Sequence, residues 1–367
     1  MTLAQAKPPP GRAPIRVIVV DDSAVVRGYI ARILEGEPGI DVIATCANGQ
    51  MAVQQSARTP ADVIILDVEM PVMDGLTAVP KLLAVNPSVR IVMASTLTQR
   101  NAGVSLDALA RGAADYLPKP ATSGISTNAD FRRELLAKVI ALGSSGSRVS
   151  SEPVSRAVVK PRPVPSVALR RPAVSHPQAL VIGSSTGGPQ ALIAVLSALS
   201  HTVTPPILIA QHMPATFTAI LAQHIARASG RPCAEGVDGA ILRHGSITLA
   251  PGDFHMEVAR DGAGTVVRLH QGAPENFCRP SVNPLFRSAA RLYGADVCAL
   301  MLTGMGSDGL DGTRALAAAG APVVAQDEAT SVVWGMPGAI ATAGLCTAIL
   351  PLPSIAGHLA DLFGGRA

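Results

Sequence analysis

Aromatic residues and closely spaced cysteines are scarce in this sequence of 367 residues. Aromatic residues make up only 3% of the chain, although 48% of it is hydrophobic. The predicted cores therefore consist of alanine, valine, leucine and isoleucine, as is typical of α/β layers. The five cysteines, none in C-x-x-C spacing, are Cys46, Cys233, Cys278, Cys298 and Cys346. Their scatter predicts neither a disulfide framework nor a zinc site.

Long hydrophobic runs are also missing. No apolar run comes near the roughly 18 residues of a membrane-spanning helix. Residues 1–14 are rich in proline and lack the apolar centre of a signal peptide. We therefore expect a cytoplasmic protein with no direct membrane insertion.

Charge is low and unevenly distributed. Charged residues make up 15% of the chain, and the net charge is +4. Residues 144–177 contain six basic residues and a single acidic one, Glu152, so the rest of the chain is close to neutral. A folded nucleic-acid-binding surface is therefore not expected. The same stretch contains six prolines, and we predict an extended linker over residues 143–177.

Residues 15–142 alternate five apolar runs with helix-like segments. The runs are residues 16–20, 41–46, 62–66, 89–94 and 114–117. This alternation predicts a doubly wound, five-stranded parallel sheet covered by helices.

Polar residues follow the ends of these predicted strands. Asp21, Asp22, Asp67, Ser95 and Lys119 should converge, because the carboxyl ends of parallel strands meet at one edge of the sheet. Three carboxylates in one place repel one another unless a cation neutralises them, and oxygen ligands suit Mg²⁺. The sequence predicts Mg²⁺ on the three aspartates and Asp67 as nucleophile toward a phosphoryl group. Ser95 and Lys119 would hold the added phosphate.

This region resembles the receiver domain of two-component response regulators. The motifs that carry the resemblance are Asp21-Asp22, Leu66-Asp-Val-Glu-Met-Pro-Val-Met-Asp-Gly75 and Asp115-Tyr-Leu-Pro-Lys-Pro120. The resemblance implies that a histidine kinase phosphorylates Asp67, and it places Tyr116 at the family's aromatic switch position.

Residues 178–367 contain a second set of apolar strands and helices, which predicts an α/β domain with a mostly parallel sheet. Its first strand, residues 179–182, leads into Gly183-Ser-Ser-Thr-Gly187 and then into a helix. The spacing G-x-S-x-G in this context is typical of a nucleophile elbow, with Ser185 as the nucleophile. A glycine-rich turn that binds a phosphate at a helix N-terminus is the alternative, and the motif alone leaves both open.

A serine nucleophile needs a base and an acid that orients the base. Among the eight histidines, His212 directly follows the next buried strand, residues 206–211. Asp308 lies in the glycine-rich turn after the strand at residues 296–302, whereas its rival Asp311 is already inside the following helix. The order Ser185, His212, Asp308 differs from that of α/β-hydrolases, so that fold is not implied.

This domain resembles the catalytic domain of the chemotaxis protein-glutamate methylesterases, the CheB family. The matching segments include Ile182-Gly-Ser-Ser-Thr-Gly-Gly188, Gln211-His-Met-Pro214, Arg279-Pro-Ser281, Leu302-Thr-Gly-Met-Gly-Ser-Asp-Gly309 and Trp334-Gly-Met-Pro337. The resemblance implies Ser185 as nucleophile, His212 as general base and Asp308 as its orienting acid. It also implies an oxyanion contribution from the backbone of Met305, with Thr186 beside the nucleophile.

Three positions depart from the family pattern. Ser184 stands where the family has alanine, Val72 replaces a basic residue, and Cys278 occupies the place of a histidine. We expect that neither Val72 nor Cys278 touches the proposed triad, and that either can alter substrate, kinase or interdomain preference.

The resemblance implies a phosphorylation-activated esterase. It would hydrolyse glutamate methyl esters on chemoreceptors, release methanol and deamidate receptor glutamines. Two alternatives stay open from the residues: a nucleotide-binding module built on Gly183–Gly188, and a regulator that acts through protein contacts with vestigial hydrolysis.

Overall fold

The computed structural model describes residues 13–96, 98–119, 125–146, 169–173, 176–262 and 264–364. The chain divides into two compact units, Met1–Ser151 and Glu152–Ala367. No helix within the described ranges is long and apolar enough to cross a membrane.

The first unit is a parallel sheet with helices on its faces. Its strands are β1 (Ile15–Val20), β2 (Ile40–Cys46), β3 (Val63–Asp67), β4 (Arg90–Ser95) and β5 (Asp115–Pro118). Its helices are α1 (Ala24–Glu35), α2 (Gly49–Arg58), α3 (Gly75–Val85), α4 (Gln99–Ala110) and α5 (Ile125–Gly146). The strand order is β2-β1-β3-β4-β5, and every pairing is parallel. This is the doubly wound sheet that the sequence predicts.

Short polar side chains begin the helices of this unit. Ser23, Asn48, Asp74 and Thr98 each accept a hydrogen bond from a backbone N–H in the first turn of α1, α2, α3 and α4, respectively. These caps follow the strand ends closely, which keeps the loops at the carboxyl edge short.

Helix α5 is longer than the predicted segment at residues 130–142. The sequence pattern predicts this helix over about Asp130 to Leu142, whereas α5 continues through Gly143 to Gly146. A Cβ at Gly143 would clash with the side chain of Ile15. The glycine therefore allows helix α5 and strand β1 to approach closely, and it does not end the helix.

The second unit contains a larger parallel sheet and a separate hairpin. Its strands are β6 (Ala179–Ser184), β7 (Ile207–Gln211), β8 (Cys233–Glu235), β9 (Ile247–Leu249), β10 (His255–Asp261), β11 (Gly264–His270), β12 (Val297–Met301), β13 (Val323–Gln326) and β14 (Ala348–Leu350). Its helices are α6 (Gly188–Ala198), α7 (Ala215–Ser229), α8 (Val282–Tyr293), α9 (Leu310–Ala318), α10 (Met336–Thr342) and α11 (Leu352–Phe363).

The strand order of the larger sheet is β14-β13-β12-β6-β7-β9-β8, again with parallel pairings, while β10 and β11 form an antiparallel hairpin. Strands β6, β7 and β12 are buried along their whole length, as expected for a sheet covered on both faces. Edge strands β8 and β14 have three residues each, too few to show the pattern of apolar residues by which a strand is recognised in a sequence. Loops after β12, β6 and β7 therefore lie side by side, and the predicted catalytic residues lie in these loops.

Candidate active site

The turn after β6 presents Ser185 beyond the sheet edge. The Ser185 N–H donates to the carbonyl of Thr303 at 3.0 Å, and its own carbonyl accepts from Gly188 N–H at 2.7 Å. Gly187 has a φ of 75°, and a Cβ there would clash with Val332. The tight turn thus requires glycine at position 187, as the elbow interpretation expects.

The neighbouring serine has a different environment. Ser184 is fully buried, and its hydroxyl donates to Oε1 of Gln211 at 2.7 Å. The Gln211 Nε2 group in turn donates to the carbonyls of Ser185 at 3.0 Å and His212 at 3.1 Å. Gln211 therefore links the Ser185 turn to the loop that carries His212 by hydrogen bonds. Sequence reasoning missed this role, although a glutamine at the end of an apolar strand was the available signal.

His212 and Asp308 form a close pair. The Nε2 atom of His212 lies 2.7 Å from Oδ2 of Asp308, a carboxylate that is 2% exposed. Asp308 also accepts hydrogen bonds from Ser281 Oγ at 2.7 Å, Val282 N–H at 2.7 Å and Asn276 Nδ2 at 3.0 Å. The carboxylate therefore has four donors. Its pairing with Ser281, at the N-cap of α8, was not predicted.

These contacts determine the charge states of the pair. Burial by itself would raise the pKa of Asp308, but hydrogen bonds from His212, Val282 and Ser281 lower that pKa to about 2. Burial likewise opposes the imidazolium form of His212, whereas attraction to Cys278 and Asp308 outweighs burial and raises the pKa of His212. Asp308 is thus ionised at neutral pH and accepts the Nε2 proton of His212.

The remaining nitrogen of His212 does not contact the serine. Its Nδ1 atom lies 3.4 Å from Sγ of Cys278. The expectation that Cys278 does not touch the triad is therefore wrong, because the turn closed by Glu275 and Cys278 brings the thiol to the imidazole ring. Within the described ranges, Ser185 Oγ forms no hydrogen bond. The rival acid Asp311 is exposed and pairs with Arg314 at 2.6 Å, away from the histidine. Catalytic hydrogen bonds are often formed only once substrate is bound, so the open Ser185–His212 distance is compatible with a triad.

Backbone donors lie next to Ser185. A Cβ at Gly304 would stand 2.9 Å from Cβ of Ser185, so these two backbones are in close contact. The next residue, Met305, is half-buried, and its N–H has no hydrogen-bond partner among the residues that the structure describes. Thr186 is buried, and its carbonyl accepts from Thr303 Oγ1 at 2.9 Å. An unpaired N–H at Met305 is what an oxyanion site requires.

The first unit brings its predicted residues together at the carboxyl edge of its own sheet. Lys119 Nζ lies 2.7 Å from Oδ2 of Asp21 and 2.6 Å from Oδ1 of Asp67. Burial raises the pKa of Asp67, while Lys119 acts in the opposite direction. One carboxylate oxygen each from Asp21, Asp22 and Asp67 lie within 4.8 Å of one another. Three hard oxygen donors at this spacing fit a divalent cation such as Mg²⁺.

Ser95 and Tyr116, the other two predicted residues of this unit, are also buried. Ser95, at the end of β4, accepts from Ser105 Oγ at 3.0 Å, and its carbonyl accepts from Lys119 N–H at 2.7 Å. Tyr116 is buried, with Nζ of Lys138 lying 5.1 Å from its ring centroid. Desolvation accordingly raises the pKa of Tyr116 well above its usual range.

Val72 is strained in the loop after Asp67. It has a φ of 68°, a left-handed conformation that is unfavourable for a β-branched side chain, and it is 84% exposed. We expect Val72→Asn to raise the free energy of unfolding of this unit by about 1 kcal/mol, because asparagine tolerates that conformation. Hydrogen exchange of the β3 amides in the full chain measures this change.

Val25, which is 82% exposed on helix α1, provides the matched control. Val25→Asn makes the same chemical change at helical φ and should alter the free energy of unfolding by less than about 0.5 kcal/mol. Equal shifts in both variants would show that Val72 stores no backbone strain.

Comparison with known proteins assigns both units. Residues 180–359 match the family model of the CheB methylesterase, and residues 17–126 match that of the response regulator receiver domain. The chain is 52% identical over 381 residues to "Protein-glutamate methylesterase/protein-glutamine glutaminase 1" of Paramagnetospirillum magneticum, covering 99% of this chain and all of that protein. The chain belongs to the CheB family. The resemblance stated from the sequence is thereby confirmed.

Two further comparisons agree with this membership. The protein-glutamate methylesterase/protein-glutamine glutaminase of Azospirillum brasilense is 52% identical over 373 residues, covering 97% of this chain and 94% of that protein. The crystal structure of the Thermotoga maritima CheB methylesterase catalytic domain is 35% identical, with a TM-score of 0.50, covering 51% of this chain and 98% of that one. The fold class predicted for both CheB units is thus confirmed.

Proposed function

We propose that this chain is a phosphorylation-activated protein-glutamate methylesterase with protein-glutamine glutaminase activity. Its relatives carry both activities in their names, and the receiver unit supplies the phosphorylation site. The observation that carries the proposal is the buried Asp308–His212 pair beside the Ser185 turn. We further propose domain boundaries of 15–142 for the receiver, 143–177 for the linker and 178–367 for the esterase, with the protein acting in the cytoplasm.

The proposed reaction is acyl transfer through Ser185. Asp308 holds the Nε2 proton of His212, so the basic nitrogen is Nδ1. His212 takes the proton of Ser185 Oγ at Nδ1 while Oγ attacks the ester carbonyl of a receptor glutamate. The Met305 N–H, supported by the turn at Thr186, donates to the oxygen that becomes negatively charged. His212 then returns the proton to the departing methanol.

Hydrolysis of the acyl-enzyme completes the cycle. Water attacks the carbonyl of the Ser185 ester while His212 takes a proton from it. The bond between that carbonyl and Oγ then breaks, His212 returns the proton to Ser185 Oγ, and the receptor glutamate is released as a carboxylic acid that ionises in solution. A glutamine side chain enters the same sequence with ammonia as leaving group. Both substrates fit one site because their reactions share a tetrahedral, negatively charged intermediate.

Control of this activity is assigned to the receiver unit. Asp67 is the proposed acceptor of a phosphoryl group from a histidine kinase, and the substrate is a methylated chemoreceptor. Asp21, Asp22 and Asp67 would hold Mg²⁺, which neutralises phosphate charge when it is bound. Lys119, which forms ion pairs with Asp21 and Asp67, is placed to pair with the phosphate oxygens. Ser95 and Tyr116 would then change conformation as switch residues.

The test of this proposal is methanol release from methylated receptor membranes, with and without a small-molecule phosphodonor. We expect Asp67→Asn to retain basal release and to lose the stimulation, because an amide is not nucleophilic toward phosphorus. Glu69→Gln is the matched control, since Glu69 is an exposed acid two residues away whose carboxylate lies 3.9 Å from Arg100. Stimulation that persists in Asp67→Asn would require another acceptor.

A further inference from the structure

A strained turn brings two side chains to the His212–Asp308 pair. Glu275 and Cys278 exchange backbone hydrogen bonds of 3.2 and 2.9 Å, which closes a two-residue turn through Asn276 and Phe277. Both central residues have positive φ, 51° and 63°, in a turn that usually takes glycine or asparagine. Backbone strain of this kind persists where the surrounding structure holds it, and it clusters at functional sites.

The turn is held firmly at its base. Arg287 of helix α8 forms a two-pronged ion pair with Glu275, at 2.9 and 2.5 Å. From this anchor, Asn276 Nδ2 reaches Oδ1 of Asp308, while Cys278 Sγ reaches Nδ1 of His212. The thiol is half-buried and belongs to the catalytic cluster itself.

The position of the proton on His212 limits which hydrogen bonds its Nδ1 atom can form. Nε2 donates to Asp308, so a neutral His212 has a single lone pair, at Nδ1. That lone pair must accept the Ser185 proton during the proposed reaction, yet the atom beside it is Cys278 Sγ. Ser185 Oγ forms no hydrogen bond in the described part of the chain.

We propose that Cys278 is a positioning residue that competes with Ser185 for Nδ1 of His212 and so restrains the esterase in its resting state. The inference rests on the proposed function of Ser185 and His212 and adds a regulatory contact to it. The thiol can also release the nitrogen, because the carbonyl of Asn276 lies 3.4 Å from Sγ and offers the S–H a second acceptor. Cys278 thus has two alternative partners, and only one of them leaves the base available.

Charged groups around His212 determine how the esterase activity depends on pH. Cys278 and Asp308 are the titratable groups that act on His212 and raise its pKa, whereas Glu275 is paired with Arg287, and His255 faces the carbonyl of Ala273. A general base must be neutral, so activity rises with pH through the pKa of His212.

The experiment is the labelling rate of Ser185 by a fluorophosphonate in the full-length protein, measured by mass spectrometry from about pH 6 to about pH 11, because the pKa of His212 is raised from its ordinary value to about 10. We expect Cys278→Ala to label about three- to tenfold faster at neutral pH, the range for loss of one competing hydrogen bond. We expect Cys278→Ser to label no faster than the wild type, because a hydroxyl is a stronger donor to Nδ1 than a thiol. Cys233→Ala, at the far edge strand β8, is the matched control and should label at the wild-type rate.

The outcomes separate this inference from the function on which it rests. An unchanged or slower rate in Cys278→Ala across the pH range overturns the competition while leaving Ser185 as nucleophile. Absence of Ser185 labelling in every variant overturns the nucleophile assignment and the inference together. If Cys278→Ala does not fold, a Cys278→Ser labelling rate above that of the wild type overturns the competition, and a rate at or below it supports the competition.

Discussion

Replacement of Ser185 by alanine is expected to lower methanol release from methylated receptor membranes by a factor on the order of 10⁴ to 10⁶. The hydroxyl is the proposed nucleophile, and no neighbouring group can replace it. Ser184 is fully buried and bonded to Gln211, so it cannot reach a substrate carbonyl in its place. The full-length protein, activated by a phosphodonor, is the form to assay.

Ser184→Ala is the matched control for this variant. It removes one buried hydrogen bond, worth about 0.5–1.5 kcal/mol, and should change the rate less than about tenfold. The pair of variants also tests the alternative in which Gly183–Gly188 binds a nucleotide phosphate. Methanol release retained in Ser185→Ala would reject Ser185 as the nucleophile, whereas a failure of fluorophosphonate to label Ser185 in the wild type would favour the nucleotide-binding alternative.

Asp308→Asn is expected to lower kcat by about 10⁴-fold, because an amide in place of the carboxylate favours the wrong tautomer of His212. Each carboxylate oxygen accepts two hydrogen bonds. Oδ1 accepts from Ser281 and Asn276, and Oδ2 accepts from Val282 N–H and His212. Whichever way the amide is turned, its NH₂ group faces two donors. We therefore also expect a loss of stability of about 1–3 kcal/mol, measurable by thermal unfolding.

Asp311→Asn separates this effect from a general loss of negative charge near the site. Asp311 is exposed in the first turn of α9 and pairs only with Arg314 among the described contacts. We expect its kcat to remain within about threefold of the wild type, since surface pairs contribute little. Similar losses in both variants would remove Asp308 from its proposed orienting role.

The two sheets could be predicted because each buried strand is a continuous apolar run that is visible in the sequence. Runs such as Val63–Asp67 and Val297–Met301 are continuous apolar segments of strand length, and polar residues follow them directly. Parallel topology then brings the carboxyl ends together, so Asp67 and Asp308 could be placed near their partners before any coordinates. Where the pattern of apolar residues is short or irregular, the sequence did not predict the element or its bounds. This was so for edge strands β8 and β14 and for the two ends of helix α5.

The roles of Gln211, Ser281 and Asn276 were missed for a different reason. Each acts through side-chain hydrogen bonds to residues far away in the chain, 26 residues for Gln211 to Ser185 and 32 for Asn276 to Asp308. Nothing in the local pattern of residues records such a partner. A buried glutamine at the end of β7 was the strongest available hint.

By itself, the sequence determined the two α/β units and the family, and it supplied the serine, histidine and aspartate that we propose as catalytic, because these depend on residue type and on strand order. Only the tertiary structure decided which nitrogen of His212 faces Asp308 and which remains for Ser185. It also placed the Cys278 thiol at that remaining nitrogen. The orientation of an imidazole ring depends on the donors and acceptors packed around it. Here those neighbours come from loops that are distant along the chain, and folding alone brings them together.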